Sequence, residues 1–234
     1  MKFFSYESRF SQLVLKICYA CCLNLLWLIC SLPIVTIGAS TTALYYASLK
    51  IIRDEEGNLA AKFFRSFREN FRQATVLWLI LLGLGLFLGG DIYVVWHLRA
   101  GAHGSLAVLW TLCLALLIGA CVVYVIVLEF VFPLLASVSN TNLAMLKNSF
   151  LIGTHYLFAT ILVFAVHFAM FYVVVAVFTP MLVFGEGLCA LISAWLLNNI
   201  LISVSGAPED RISVSDTQED SNSAPETSEE KEDT

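Results

Sequence analysis

An all-α, polytopic transmembrane helical bundle is the fold class this sequence predicts, and three observations predict it. Hydrophobic residues make up 59% of the 234 residues and charged residues 13%, where an ordinary soluble domain carries about 25% charge. The mean hydropathy is +0.82. The apolar residues are gathered into long charge-free runs, several of them above the ~20 residues needed to cross a ~30 Å hydrocarbon core. A soluble globular domain is excluded on composition. A nucleic-acid-binding module is excluded by a net charge of −5 and a pI near 5.3.

The chain opens on the least regular of these runs. No charge falls between Lys16 and Lys50. Those residues are too many for one span and few for two. Pro33 stands in the middle, followed by the β-branched run Ile34-Val35-Thr36-Ile37 and by Gly38, which argues for a break. The reading is a helix over 10–32, a turn at 33–38 and a shorter helix over 39–53. Four clearer spans follow, over 74–98, 105–138, 155–179 and about 181–204. The count is therefore six embedded helices, or five if 39–53 lies at the interface. The membrane domain is 1–203.

Residues 204–234 hold ten acids against two bases, a net of −8, which leaves the first 203 residues at +3. This Ser-, Thr-, Glu- and Asp-rich tail lacks the apolar surface to offset chain entropy, and the expectation is disorder.

Lys and Arg set the orientation. Six of them lie between Lys50 and Arg72, so that stretch is expected to be cytoplasmic, along with the 139–154 loop and the acidic tail. Within it, Phe63, Phe64, Phe67 and Phe71 share one helical face. Arg65, Arg68, Glu69 and Arg72 share the other. This is the pattern of an interfacial amphipathic helix over 61–73, in contact with lipid or a partner protein. The preceding Asp54-Glu55-Glu56-Gly57-Asn58 reads as a solvated turn.

Ionisable groups inside a span are functional candidates. Glu129 is the sharpest. Pro133 lacks the N–H that would bond the carbonyl of residue 129, so an acid stands beside a helix interruption. His167 shares a face with Tyr156 and Thr160. Asn24 shares one with Cys21 and Ser31. Hydrogen bonding between helices competes with a polar pathway as the explanation for both stripes. Gly85 and Gly89 allow close helix approach, within the chain or between copies. The seven cysteines, an odd number lying in apolar stretches, are expected to be free. There is no Walker A run, no His-Glu-x-x-His and no Gly-x-Ser-x-Gly. No enzyme activity, metal or cofactor is expected.

Residues 23–46, LNLLWLICSLPIVTIGASTTALYY, together with 50–57, KIIRDEEG, and 64–75, FRSFRENFRQAT, resemble the YesL-like family of bacterial integral membrane proteins. The resemblance is clear over about 10–80 and continues as hydropathy alone to about 203. It implies a multi-pass protein of the bacterial cytoplasmic membrane. Relatives are often encoded beside carbohydrate-utilisation genes, which implies a non-enzymatic accessory role in sugar uptake, with subunits of a carbohydrate ABC transporter as partners. The alternative is a self-contained, ion-coupled transporter. The family has no established functional residue to carry over.

Overall fold

The computed structural model describes residues 9–55, 57–177 and 181–205. Among them the structure is helical, without strands: α1 (Arg9–Cys30), α2 (Ile37–Ile52), α3 (Leu59–Ala100), α4 (Ser105–Leu135), α5 (Asn142–His155), α6 (Leu157–Tyr172, continued by a π-helical stretch Val173–Val177) and α7 (Leu182–Ser205). The chain divides into two compact units, Met1–Asn198 and Asn199–Thr234. The described part of the second is the last turns of α7. The acidic tail lies outside the described residues.

Four helical stretches are long and apolar enough to cross a membrane: Leu59–Ala100, Ser105–Leu135, Leu157–Val177 and Phe184–Val204. Each contains most of a run read from the sequence. The apolar part of α1, Val14–Cys30, and the 16-residue α2 are shorter. At 1.5 Å per residue α2 is ~24 Å long, less than the hydrocarbon core.

The break between α1 and α2 falls where Pro33 requires it. Pro33 precedes a 3₁₀ turn over Ile34–Thr36. The Thr36 hydroxyl donates to the Cys30 carbonyl at 2.6 Å, which satisfies a group left open by the end of α1. The α1–α2 pair is then tied by Trp27 Nε1 donating to Thr41 Oγ1 (3.1 Å) and by the Ser31–Ser40 hydroxyl pair (2.5 Å).

α2 packs most extensively on α3. Gly38 permits this: a Cβ there would stand 2.6 Å from both the Ala74 carbonyl oxygen and the Trp78 side chain. The Trp78 indole N–H closes the same contact by donating to the Ile34 carbonyl at 2.8 Å.

Three expectations are corrected. No separate interfacial helix precedes the third span, because 61–73 is the continuous first part of the 42-residue α3. Nothing in that sequence breaks a helix, and the Asn58 side chain caps it by accepting from the Ala61 N–H at 3.2 Å. The four phenylalanines do not share one environment. Phe63 is fully buried and continues inward as the stripe Ser66, Ala74, Leu77 and Leu81 at helical spacing, while Phe64 and Phe71 are exposed. Finally, the 139–154 connection is a helix, α5. Its buried residues Met145, Ser149, Ile152 and Gly153 fall on one helical face, at i, i+4, i+7 and i+8, and pack on α4.

The acidic turn before α3 is an ion-paired joint. Asp54 pairs with Lys16 of α1 at 2.7 Å, and Glu55 pairs with Lys50 of α2 and stands 4.0 Å from Lys62 of α3. Asp54 adopts φ 53° and Gly57 φ 126° to make the reversal. Gly85-x-x-x-Gly89 is used only in part. Gly85 faces Tyr124 of α4, whose hydroxyl would lie 2.6 Å from an added Cβ, whereas Gly89 has open space.

Candidate functional site

Five helices carry a train of polar side chains through the apolar bundle. Glu129 stands on α4 about two turns before its end and His167 near the middle of α6. The Glu129 Oε2 lies 3.3 Å from His167 Nδ1. Both side chains are largely enclosed, at 13% and 22% exposure, so this is an ion pair or hydrogen bond out of bulk water. His167 Nδ1 also lies 2.9 Å from the carbonyl of Val163, one turn earlier. A carbonyl only accepts, so Nδ1 carries a proton and the ring is fixed in orientation. Nε2 then faces the buried Tyr45 hydroxyl of α2 at 3.5 Å. A neutral ring accepts a hydrogen bond from the Tyr45 hydroxyl there, and a protonated ring donates one to it. Charging His167 therefore reverses the polarity of the Tyr45 contact.

α7 completes the group. Glu186 is part-buried and lies within electrostatic reach of Glu129, His167 and Tyr45. Cys189 and Ser193, one and two turns further along the same helix, are buried. The Cys189 thiol faces the Val166 carbonyl of α6 at 3.9 Å, and Ser193 lies beside the Tyr45 hydroxyl. The position of α7 is set by Asn24, which is fully buried on α1 and accepts from the Gly187 N–H at 2.7 Å. Gly187 is needed for that approach, because a Cβ there would meet the Ala20 carbonyl oxygen and, at 2.8 Å, the Asn24 side chain. Toward the basic end, Arg53 Nε donates to Asn198 Oδ1 at 2.9 Å, joining α2 to α7.

The sequence candidates Glu129 and His167 are thus brought together. Asn24 belongs to the same train, one step removed, as the residue that seats α7. Thr160 turns instead to the Gly153 carbonyl at 2.7 Å and holds α5 against α6. Glu186 and Tyr45 were missed by sequence reasoning. The signal for Glu186 is present in the sequence: it is an acid within the final apolar span, over about 181–204. Nothing in the α2 sequence distinguishes Tyr45 from Tyr46, because only the packing turns one inward.

The partner- or lipid-contact candidates are separate from this group. Arg65, Arg68, Arg72, Phe67 and Phe71 stand at the basic end on α3, where Arg65 pairs with Glu69 at 3.2 Å. All seven cysteines are free. Among the described residues, no three His, Cys, Asp or Glu side chains are arranged to hold a metal ion.

Fold and site together define an α-helical membrane protein with an ionisable group inside its bundle. The chain is similar over residues 20–92 to a family described as "Protein of unknown function, DUF624". The matched region takes in the second half of α1, all of α2 and most of α3. Its partners in the polar train are Asn24, Tyr45 and Arg53, while Glu129, His167 and Glu186 fall beyond it. No curated protein and no solved structure matches the chain.

Proposed function

We propose that this is a non-enzymatic integral membrane protein whose working centre is the Glu129–His167 pair, and that it moves protons or another small cation in step with a small solute. The observation that carries this reading is the 3.3 Å approach of those two side chains inside an apolar bundle, with Glu186 close by. Leaving bare charges in hydrocarbon is costly. One imidazolium offsets one carboxylate, and the second carboxyl needs a proton or a cation of its own. A group with that requirement exchanges charge when its surroundings change. The Tyr45 hydroxyl, able to donate or accept, gives the exchange a second station.

The resemblance to YesL-like proteins supports a sugar as the solute and a bacterial cytoplasmic membrane as the setting, and the distribution of Lys and Arg supports the basic end and the acidic tail as cytoplasmic. The same distribution, with Lys2, Arg9 and Lys16 placed inside, supports α1 and α2 as embedded helices, for a total of six. An accessory role beside a carbohydrate ABC permease, the reading favoured on sequence alone, differs in requiring a second chain. Affinity purification from native membranes in mild detergent separates the two readings, since permease or ATPase subunits would co-elute in fixed proportion.

The direct test uses purified protein in proteoliposomes that enclose a pH-sensitive dye, with a panel of small sugars outside and an imposed membrane potential. Glu129→Gln is expected to slow proton entry at least tenfold with yield and thermal midpoint unchanged. Equal proton entry in the two proteins would sink the reading.

A further inference from the structure

A second surface at the basic end is independent of the polar train. At 1.5 Å per residue α3 is ~63 Å long, about twice the hydrocarbon core. The charges at Lys62, Arg65, Arg68, Glu69 and Arg72 keep its first turns out of that core, and the charge-free run begins at Gln73. Counting back along the helix from Ala74, Arg72 lies ~3 Å, Phe71 ~4.5 Å and Arg68 ~9 Å from that edge. The headgroup zone is itself ~5–7 Å deep on each side, so these side chains stand in it or reach into it.

Their exposure matches this position. Phe71 is 40% and Phe64 48% exposed, and with Phe67 and Arg68 they line a shallow groove. Among the described residues Arg68 and Arg72 have no ion-pair partner. α5 extends the surface. It is tied to α3 at this level through the segment just before it, where Gln73 Nε2 donates to the Asn140 carbonyl at 2.5 Å. It turns Leu143, Phe150 and Leu151 outward, with Lys147 exposed among them.

We propose that the first turns of α3 and the outer face of α5 form a collar that binds anionic phospholipid headgroups. The argument is charge complementarity at a fixed depth. Three cations, Arg68, Arg72 and Lys147, are interleaved with exposed aromatic and aliphatic side chains beside the end of an apolar span. Guanidinium groups match phosphate oxygens. The adjacent rings suit the boundary between headgroup and acyl chain. Each such cation near an anionic surface favours it by about fivefold.

The test is the electron spin resonance of spin-labelled phosphatidylglycerol and phosphatidylcholine in vesicles containing the full chain. The immobilised fraction of each lipid gives its relative association with the protein. The collar predicts at least a fivefold preference for phosphatidylglycerol, lost in molar salt and lost in the triple variant Arg68→Gln, Arg72→Gln, Lys147→Gln. Arg72→Gln alone, which should fold even if the triple variant does not, is expected to lower the preference two- to fivefold. Glu129→Gln is expected to keep it, so the collar and the transport reading fail separately. Equal association of the two lipids in wild type, or a preference that survives all three substitutions, overturns the proposal. Binding of a soluble acidic protein without any lipid preference also overturns it and gives the surface to a protein.

Discussion

α2 and the far half of the α3–α4 hairpin are both predominantly apolar and are packed in opposite ways. α2 is 16 residues long and buries eleven of them, including Ser40, Thr42 and Ser48. α4 is 31 residues long and buries eight, seven of which fall between Ile126 and Leu135. In its first 21 residues only Leu114 is buried, and beyond Leu81 α3 buries only Leu88. The bundle is thus tightly packed around α2 and toward the basic end, while residues 89–113 offer apolar side chains to their surroundings. Hydrophobicity alone cannot produce this difference, since lipid tails are as apolar as leucine. Small and polar residues produce it. Gly38, Ala39, Ser40, Thr42, Ala43 and Ala47 let other backbones come close to α2, whereas the hairpin presents branched and aromatic side chains to lipid.

Substitutions test this contrast, and the largest effect is expected where backbones touch. Gly38→Leu would drive a side chain into the Ala74 carbonyl and Trp78. It should cost about 3 kcal/mol or more, seen as loss of monodisperse protein on size exclusion in detergent. Asn24→Leu removes the acceptor for the Gly187 N–H and should cost about 1–3 kcal/mol, read from the thermal midpoint. Tyr45→Phe removes the long 3.5 Å contact to His167 and the hydroxyl beside Ser193. It should cost under about 1 kcal/mol, although it should slow proton entry more than it lowers stability if the hydroxyl is a station for the proton. Leu116→Ala, at a side chain 77% exposed, should change the midpoint by less than about 0.5 kcal/mol. A marked loss there would mean that a second chain covers the hairpin.

Much of the architecture is legible along the chain because its signals are local. A charge-free run of 20 or more residues has only one stable form in lipid, a helix that satisfies its own backbone, and the four long spans follow from that. Pro33 with its β-branched neighbours forces the α1–α2 break through φ and a missing donor. Glu129, His167 and Asn24 stand out because charged or polar groups are rare in such runs. α5 was harder to see. Its buried residues are Met145, Ser149, Ile152 and Gly153, a stripe of mixed polarity that carries little periodic signal. The continuity of α3 was hidden for the opposite reason: a strong amphipathic pattern over 61–73 suggested an element of its own, yet no breaker ends it.

The sequence by itself determined that this chain is a helical membrane protein, where most of its helices run, and which ionisable residues are out of place in them. Each of these follows from the cost of leaving a polar group in hydrocarbon, paid residue by residue. Only the tertiary structure decided that Glu129 meets His167, that Tyr45 rather than Tyr46 faces them, that Glu186 belongs to the same group, and that Phe63 turns inward while Phe71 turns out. Those choices depend on helix rotation and on close approaches at Gly38 and Gly187. Such approaches are set by packing between residues far apart in the chain, which no local pattern encodes.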